Sequence, residues 1–183
     1  MIKNCIDNDI SSERELVIDH LNNHILSIGT LSWDIGLNDS NHWFLTVSPN
    51  GDKDLYKISQ EIMSFAPEHM DWVFNASKPA QNWNRFFNIN DQSLDPQFVD
   101  ASSWNYVAFE GEDGKAELIF EAVNIDHLDE ETSGEAASYF VVAELGEAAK
   151  INLISSITIV QQLNDEDQSD KYSVSELRDH LLS

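Results

Sequence analysis

The sequence predicts an α+β fold, an antiparallel or mixed β-sheet built from hairpins with helices packed on one face. Three observations lead there. Strand patterns outnumber helix patterns, several strands sit in adjacent pairs joined by turn residues, and regular β-α-β alternation is absent. The 183 residues fit a single α+β domain spanning 1–183, with enough chain for a sizeable core. Hydrophobic residues at 42% and charged residues at 23% exclude wholesale disorder, and five Trp and nine Phe supply bulky core material.

In chain order, "SSERELVIDHLNNHILSI" opens with a capping box, Ser12 and Glu15. Val17, Leu21, Ile25 and Ile28 then recur on one helical face, and Gly29 is a natural stop. "LSWDIGL" alternates as a half-buried strand, and Trp43, Leu45 and Val47 alternate again after the loop Asn38 to His42. That loop length sets Leu37 opposite Trp43, Ile35 opposite Leu45 and Trp33 opposite Val47. A slip of one residue would put apolar side chains against polar ones.

The strand is expected to end at Pro49, which cannot donate to a ladder. Asn50-Gly51 is a turn dipeptide, and Asp52 can cap the helix that carries Leu55, Ile58, Ile62 and Phe65. A turn before a helix can hold an anion. This one has a single Gly, no Gly-Lys-Ser/Thr ending and an acidic cap, so it reads as a corner and not a phosphate loop. The second helix is expected to cover an apolar sheet face and line one core with Trp33, Trp43 and Trp72.

"DWVFNASKP" reads as a short strand, and "AQNWNRFFNIN" is ambiguous between strand and loop. "WNYVAFEGEDGKAELIFEAV" carries the Asp113-Gly114 hairpin signal. A two-residue turn there would set Glu112 opposite Lys115, Phe109 opposite Leu118 and Val107 opposite Phe120. "DHLDEETSGEAAS" reads as a weak helix interrupted by Gly134, and Gly146 to Ala149 as one helical turn. "YFVVAEL" and "INLISSITIV" read as central strands, apolar on both faces. Ser173 and Glu176 start a last short helix holding Leu177 and Leu181.

The charge is the compositional outlier. Asp and Glu number 33 against 10 Lys and Arg, a formal net charge of −23. Such a surface repels phosphate backbones and anionic lipid, so neither nucleic acid nor membrane is an expected partner. A basic protein or a cation suits it. Cys5 is the lone cysteine, which rules out an intrachain disulfide. The N-terminus has no apolar signal-peptide core, and no run approaches the ~20 apolar residues of a membrane span. A cytoplasmic protein is expected.

Candidate chemistry is sparse. His20 and His24 stand at metal-sharing spacing, but no third ligand accompanies them. "DHLDEE", Asp126 to Glu131, lacks the alternating acids and central Gly of an EF-hand. No nucleophile elbow occurs, and no metal, cofactor or catalytic residue is predicted. "SKPAQNWNRFF" is the candidate binding stretch, with Lys78 and Arg85 flanking Trp83, suited to an acidic or planar ligand. The plainer reading puts Trp83 in the core and pairs the cations with nearby acids. Glu130 and Glu131 are the candidate acidic interface.

The run "LTVSPNGDKDLYKISQEIMSFAPEHMDWVFNASKP", with Trp83, Trp104 and Leu145-Gly146-Glu147, resembles a group of conserved, uncharacterised bacterial hypothetical proteins. The resemblance covers roughly the middle of the chain. It implies a bacterial cytoplasmic protein and brings no activity or site residue with it.

Two function classes follow. The favoured one is a non-enzymatic acidic binding protein for a basic protein partner, an immunity-type inhibitor of a toxic nuclease being one instance. Ten acids and one Lys lie between Glu110 and Glu135, a field that would steer a cationic partner. The alternative is a small hydrolase or ligand-binding enzyme that uses carboxylates without a recognisable motif. Converging acids of perturbed pKa in a cleft would favour the enzyme.

Overall fold

The structure, a computed structural model, describes residues 11–183, with side chains from residue 15 onward. The Ser12 side chain, and with it the expected Ser12–Glu15 capping box, therefore lies outside what is described, as does Cys5. Among the described residues, five α-helices and nine strands in mixed and antiparallel sheets make an α+β fold. Where one domain was expected, the chain divides into two compact units, one ending at Ser77 and one running from Lys78 to Ser183.

In the first unit, helix α1 (Ser11–Ile28) leads into strands β1 (Ser32–Leu37) and β2 (Trp43–Ser48). They pair antiparallel with Leu37 opposite Trp43, Ile35 opposite Leu45 and Trp33 opposite Val47, the register that the loop length predicts. At the corner, Asp52 N–H donates to the Pro49 carbonyl at 3.1 Å, and Asn50 and Gly51 take φ of 53° and 83°. Positive φ at both central residues is the type I′ pattern. The Asn50 side chain is used internally, donating to Thr30 O and accepting from Ser32 Oγ.

Asp52 then caps helix α2 (Lys53–Ser64), its carboxylate accepting from the N–H groups of Asp54 and Leu55. Strand β3 (Trp72–Asn75) returns parallel to β2, so this sheet has the order β1-β2-β3. Ile25, Leu31 and Val47 form the buried centre, with Trp33, Leu55, Ile62 and Met63 packed on it. Of the three indoles expected in one core, only Trp43 is buried. Trp33 and Trp72 are half-buried, and Trp43 stacks on Trp72 with ring centroids 5.9 Å apart.

In the second unit, β4 (Phe86–Asn90) and β5 (Pro96–Asp100) form a separate two-stranded sheet. Strands β6 (Asn105–Glu110), β7 (Ala116–Glu121), β8 (Ile154–Val160) and β9 (Tyr172–Ser173) make a sheet of order β8-β7-β6-β9. Only the β7–β8 pair in it is parallel.

The β6–β7 hairpin corrects the expected register by one residue. Gly111 N–H donates to Lys115 O at 2.7 Å, and Gly114 N–H to Gly111 O at 3.0 Å, with Gly114 at φ 73°. That is a three-residue loop with glycine in the left-handed position, not a two-residue turn. Ala108 consequently faces Leu118 and Tyr106 faces Phe120, while Phe109 moves outward opposite Glu117. Lys115 does not pair with Glu112 in the expected way. Its Nζ donates to Ile151 O at 2.9 Å.

A second correction concerns "YFVVAEL", which is helix and not strand. Helix α3 (Glu130–Leu145) starts at Asp129, whose carboxylate accepts from Thr132 N–H, and it continues through Gly134. Ala136, Ala137, Phe140, Val141 and Leu145 are all buried, so the helix is apolar on more than one face. An apolar run buried on all sides has no periodicity to separate it from a central strand. Helix α4 (Glu147–Leu153) extends the expected single turn and takes the first three residues of "INLISSITIV", and the last seven become strand β8.

Trp104, Tyr106, Leu118, Phe120 and Phe140 form the heart of this core. Burying each such side chain is worth roughly 1.5–3 kcal/mol. A 3-10 turn (Val174–Glu176) with a Ser173/Glu176 capping box leads into the final helix α5 (Leu177–Leu182), as the sequence predicts.

Candidate functional site

The stretch 78–85 runs along the junction of α3 and α4. Gln81 N–H donates to Ala143 O at 2.7 Å, Glu147 N–H to Lys78 O at 2.9 Å, and Lys78 N–H to Glu147 Oε2 at 2.9 Å. Gly146 makes this approach possible. It ends α3 and starts α4 at φ 86°, and a Cβ there would lie 3.1 Å from Ala80 N.

Glu144 is the centre of the site, at 3% exposure. Its Oε2 accepts from Trp83 Nε1 at 3.0 Å and its Oε1 from Arg85 Nη2 at 3.0 Å. Two predicted binding residues, Trp83 and Arg85, thus converge on a carboxylate of the chain itself, one that sequence reading did not single out. Trp83 also packs against Phe87, Tyr139 and Phe140. Arg85 adopts φ 66°, and its buried Nε has no hydrogen-bond partner.

Arg178 of α5 ties the same junction from the other side, donating from Nε to Glu144 O at 2.9 Å and from Nη2 to Gln81 O at 3.0 Å. The Lys78 side chain is exposed, and only its backbone joins the junction. Lys150 Nζ donates to Ser138 Oγ at 2.5 Å, and burial pushes its amine below the ordinary lysine value against the pull of Glu147. Chemically the junction is a set of charge-assisted hydrogen bonds among the chain's own groups, with Arg85 Nε left over.

Besides Glu144 and Glu147, the latter 2% exposed, Glu121 is a buried carboxylate, and it is saturated in the same way. It accepts from Lys171 Nζ at 2.8 Å, Gln168 Nε2 at 2.7 Å and Leu163 N–H at 3.1 Å. The Lys171 bond leads the causes that hold its pKa down to about 2.

The acidic interface candidates lie elsewhere. Glu130 and Glu131 occupy the exposed first turn of α3, and Glu131 Oε2 accepts from Gln92 Nε2 at 2.7 Å. Acids at a helix start suit its dipole. From Glu110 to Glu135 every carboxylate is exposed except Glu121. The His20 and His24 rings lie 4.2 Å apart, tilted by 42°, and His24 Nδ1 lies 3.0 Å from His20 O. Among the described residues no group of three His, Cys, Asp or Glu is placed to hold a metal ion. No described helix is long and apolar enough to cross a membrane. Set against known proteins, the chain matches no family model, no curated sequence and no solved structure.

Proposed function

We propose that this chain is a non-enzymatic acidic binding protein whose partner is a basic protein, with an immunity-type inhibitor of a toxic nuclease as one instance. The observation that carries the reading is how the second unit distributes its charges. Arg85, Lys115, Lys150, Lys171 and Arg178 all donate inward, to Glu144, Ile151 O, Ser138, Glu121 and the Glu144 and Gln81 carbonyls. The carboxylates from Glu110 to Glu135 point outward with Glu121 as the exception. These cations are engaged by the chain's own acceptors and outnumbered by exposed carboxylates, so the exterior field stays strongly negative.

That field supports steering of a cationic partner more than it supports catalysis. The buried carboxylates Glu121 and Glu144 are occupied by the chain's own donors, which argues against the hydrolase alternative.

Stopped-flow association with labelled oligolysine tests the proposal. The on-rate is expected to fall as added salt tightens the Debye length from ~10 to ~3 Å, and to fall again in Glu130→Lys/Glu131→Lys. An on-rate indifferent to salt would count against steering. Tight, stoichiometric Ca²⁺ or Mg²⁺ binding in calorimetry, lost in the same double variant, would move the protein to the metal-dependent enzymes.

A further inference from the structure

We infer that the outer face of the β4–β5 hairpin, built on Phe86 and Phe98 with Leu94 at its tip, is the surface on which apolar residues of the basic partner dock. The inference rests on the basic-partner reading above and gives it a place.

A two-stranded sheet with one face on a core has no need of aromatic residues on the other. Here Phe87, Ile89 and Val99 face the core, with Phe87 and Val99 buried. The opposite face carries Phe86 at 44% exposure and Phe98 at 58%. Their cross-strand partners are Asp100 and Asn88, which makes the two rings diagonal neighbours, with centroids 6.1 Å apart. Single exposed apolar residues are ordinary, but an exposed aromatic pair is the kind of anchor that interfaces use.

The hairpin tip adds to it. Leu94 is 77% exposed and sits at φ 65°, in a loop closed by Asp91 N–H to Asp95 O and Leu94 N–H to Asp91 O, both at 2.9 Å. Glycine or asparagine would take that backbone without strain. The Asp91 carboxylate fixes the loop further by accepting from the N–H groups of Ser93 and Asp95.

Charge decides the occupant. Residues 86–114 contain no Lys or Arg, while Asp91, Asp95 and Asp100 belong to the hairpin itself. The Gln92–Glu131 bond joins the hairpin loop to the first turn of α3, adding Asp129, Glu130 and Glu131 beside it. A second copy would bring the same acids against these, and like charges across an interface are costly. A segment with aromatic or aliphatic anchors flanked by Lys and Arg satisfies both the rings and the rim. It docks on the side-chain face and not by adding a strand to β5. Two of the outward carbonyls there are already taken, Phe98 O by His127 Nε2 at 3.1 Å and Asp100 O by Asn124 Nδ2 at 2.8 Å.

The test uses the full chain and two synthetic peptides of equal charge, one alternating Lys with Leu and one alternating Lys with Gly, read by fluorescence anisotropy. The Lys/Leu peptide is expected to bind more tightly. Phe98→Ser and Phe86→Ser should each raise its Kd by about tenfold and leave the Lys/Gly peptide unchanged. Leu94→Gly relieves the backbone, so it should fold at least as well as the parent while weakening the Lys/Leu peptide by roughly threefold. If the Lys/Leu peptide binds all three variants as it binds the parent, the docking face is wrong and the basic-partner reading stands. If neither peptide binds the parent at low salt, the reading beneath it falls too. A parent that sediments as a dimer and becomes monomeric in Phe98→Ser would assign the face to a second copy and overturn the inference.

Discussion

Lys171 sets its Nζ 2.8 Å from Oε2 of Glu121, fifty residues earlier in the chain, on a carboxylate only 6% exposed. The folded-state pKa of Glu121 is lowered from 4.5 to about 2, so the carboxylate stabilises the fold fully above 4.5. That contribution, on the order of 3 kcal/mol, is lost as pH falls through the window down to about 2. Urea melts at neutral pH and within that window should show a steep loss of stability. Glu121→Gln should start lower at neutral pH and lose less on acidification.

Glu144→Ala leaves Arg85 and the Trp83 indole N–H facing a void in a buried setting. Removing one partner of a buried charge pair costs about 3–5 kcal/mol. Glu144→Gln should lose less, because its amide oxygen still accepts one of the two donors. Chemical denaturation followed by tryptophan emission distinguishes the three proteins.

Two glycines should respond oppositely to alanine. Gly146 stands at φ 86° with Ala80 N 3.1 Å from any added Cβ, so Gly146→Ala should cost about 1–3 kcal/mol. Gly134 lies inside α3 with open space around it, and Gly134→Ala should stabilise by roughly 0.5–1 kcal/mol. Paired thermal melts read both signs at once.

Tyr106 is fully buried, and its hydroxyl lies 2.7 Å from Nδ1 of His180 on α5. Burial, reinforced by the negative charge of Glu176, raises the phenol above its ordinary value of 10. A raised folded-state pKa gives stability that is complete below pH 10 and erodes as pH climbs beyond it. A tyrosinate absorbance titration should show one phenol ionising late, together with unfolding. Tyr106→Phe should abolish that component.

Which parts of this structure the sequence discloses follows from what is local. The β1–β2 register is legible because alternation and loop length agree, and Asp52 and Ser173 show as caps through side chains a few residues from the groups they bind. The β6–β7 register is not, because Asp-Gly serves a two-residue turn and the end of a three-residue loop equally well, and Gly111 and Lys115 close the longer one. Helix α3 hides for another reason. Phe140, Val141 and Leu145 are buried beside Ala136 and Ala137, so its strongest apolar run has the same appearance as a central strand. At the site, the stretch holding Trp83 and Arg85 stands out by its composition. Glu144 does not, since its partners lie 59 and 61 residues away and nothing local marks one acid among 33.

The strand order β8-β7-β6-β9 also fixes how the second sheet is finished on the ribosome. Its central hairpin is translated first, whereas the strands that flank it, Ile154–Val160 and Tyr172–Ser173, follow later. Until those residues emerge, the nascent hairpin carries two open hydrogen-bonding margins and the unshielded rings of Tyr106 and Phe120. Emergence of those strands closes first the β7 margin and then the β6 margin. A nascent chain exposed only as far as the acidic loop ahead of Tyr172 would have one margin sealed and the other available to a chaperone or to a neighbouring nascent chain.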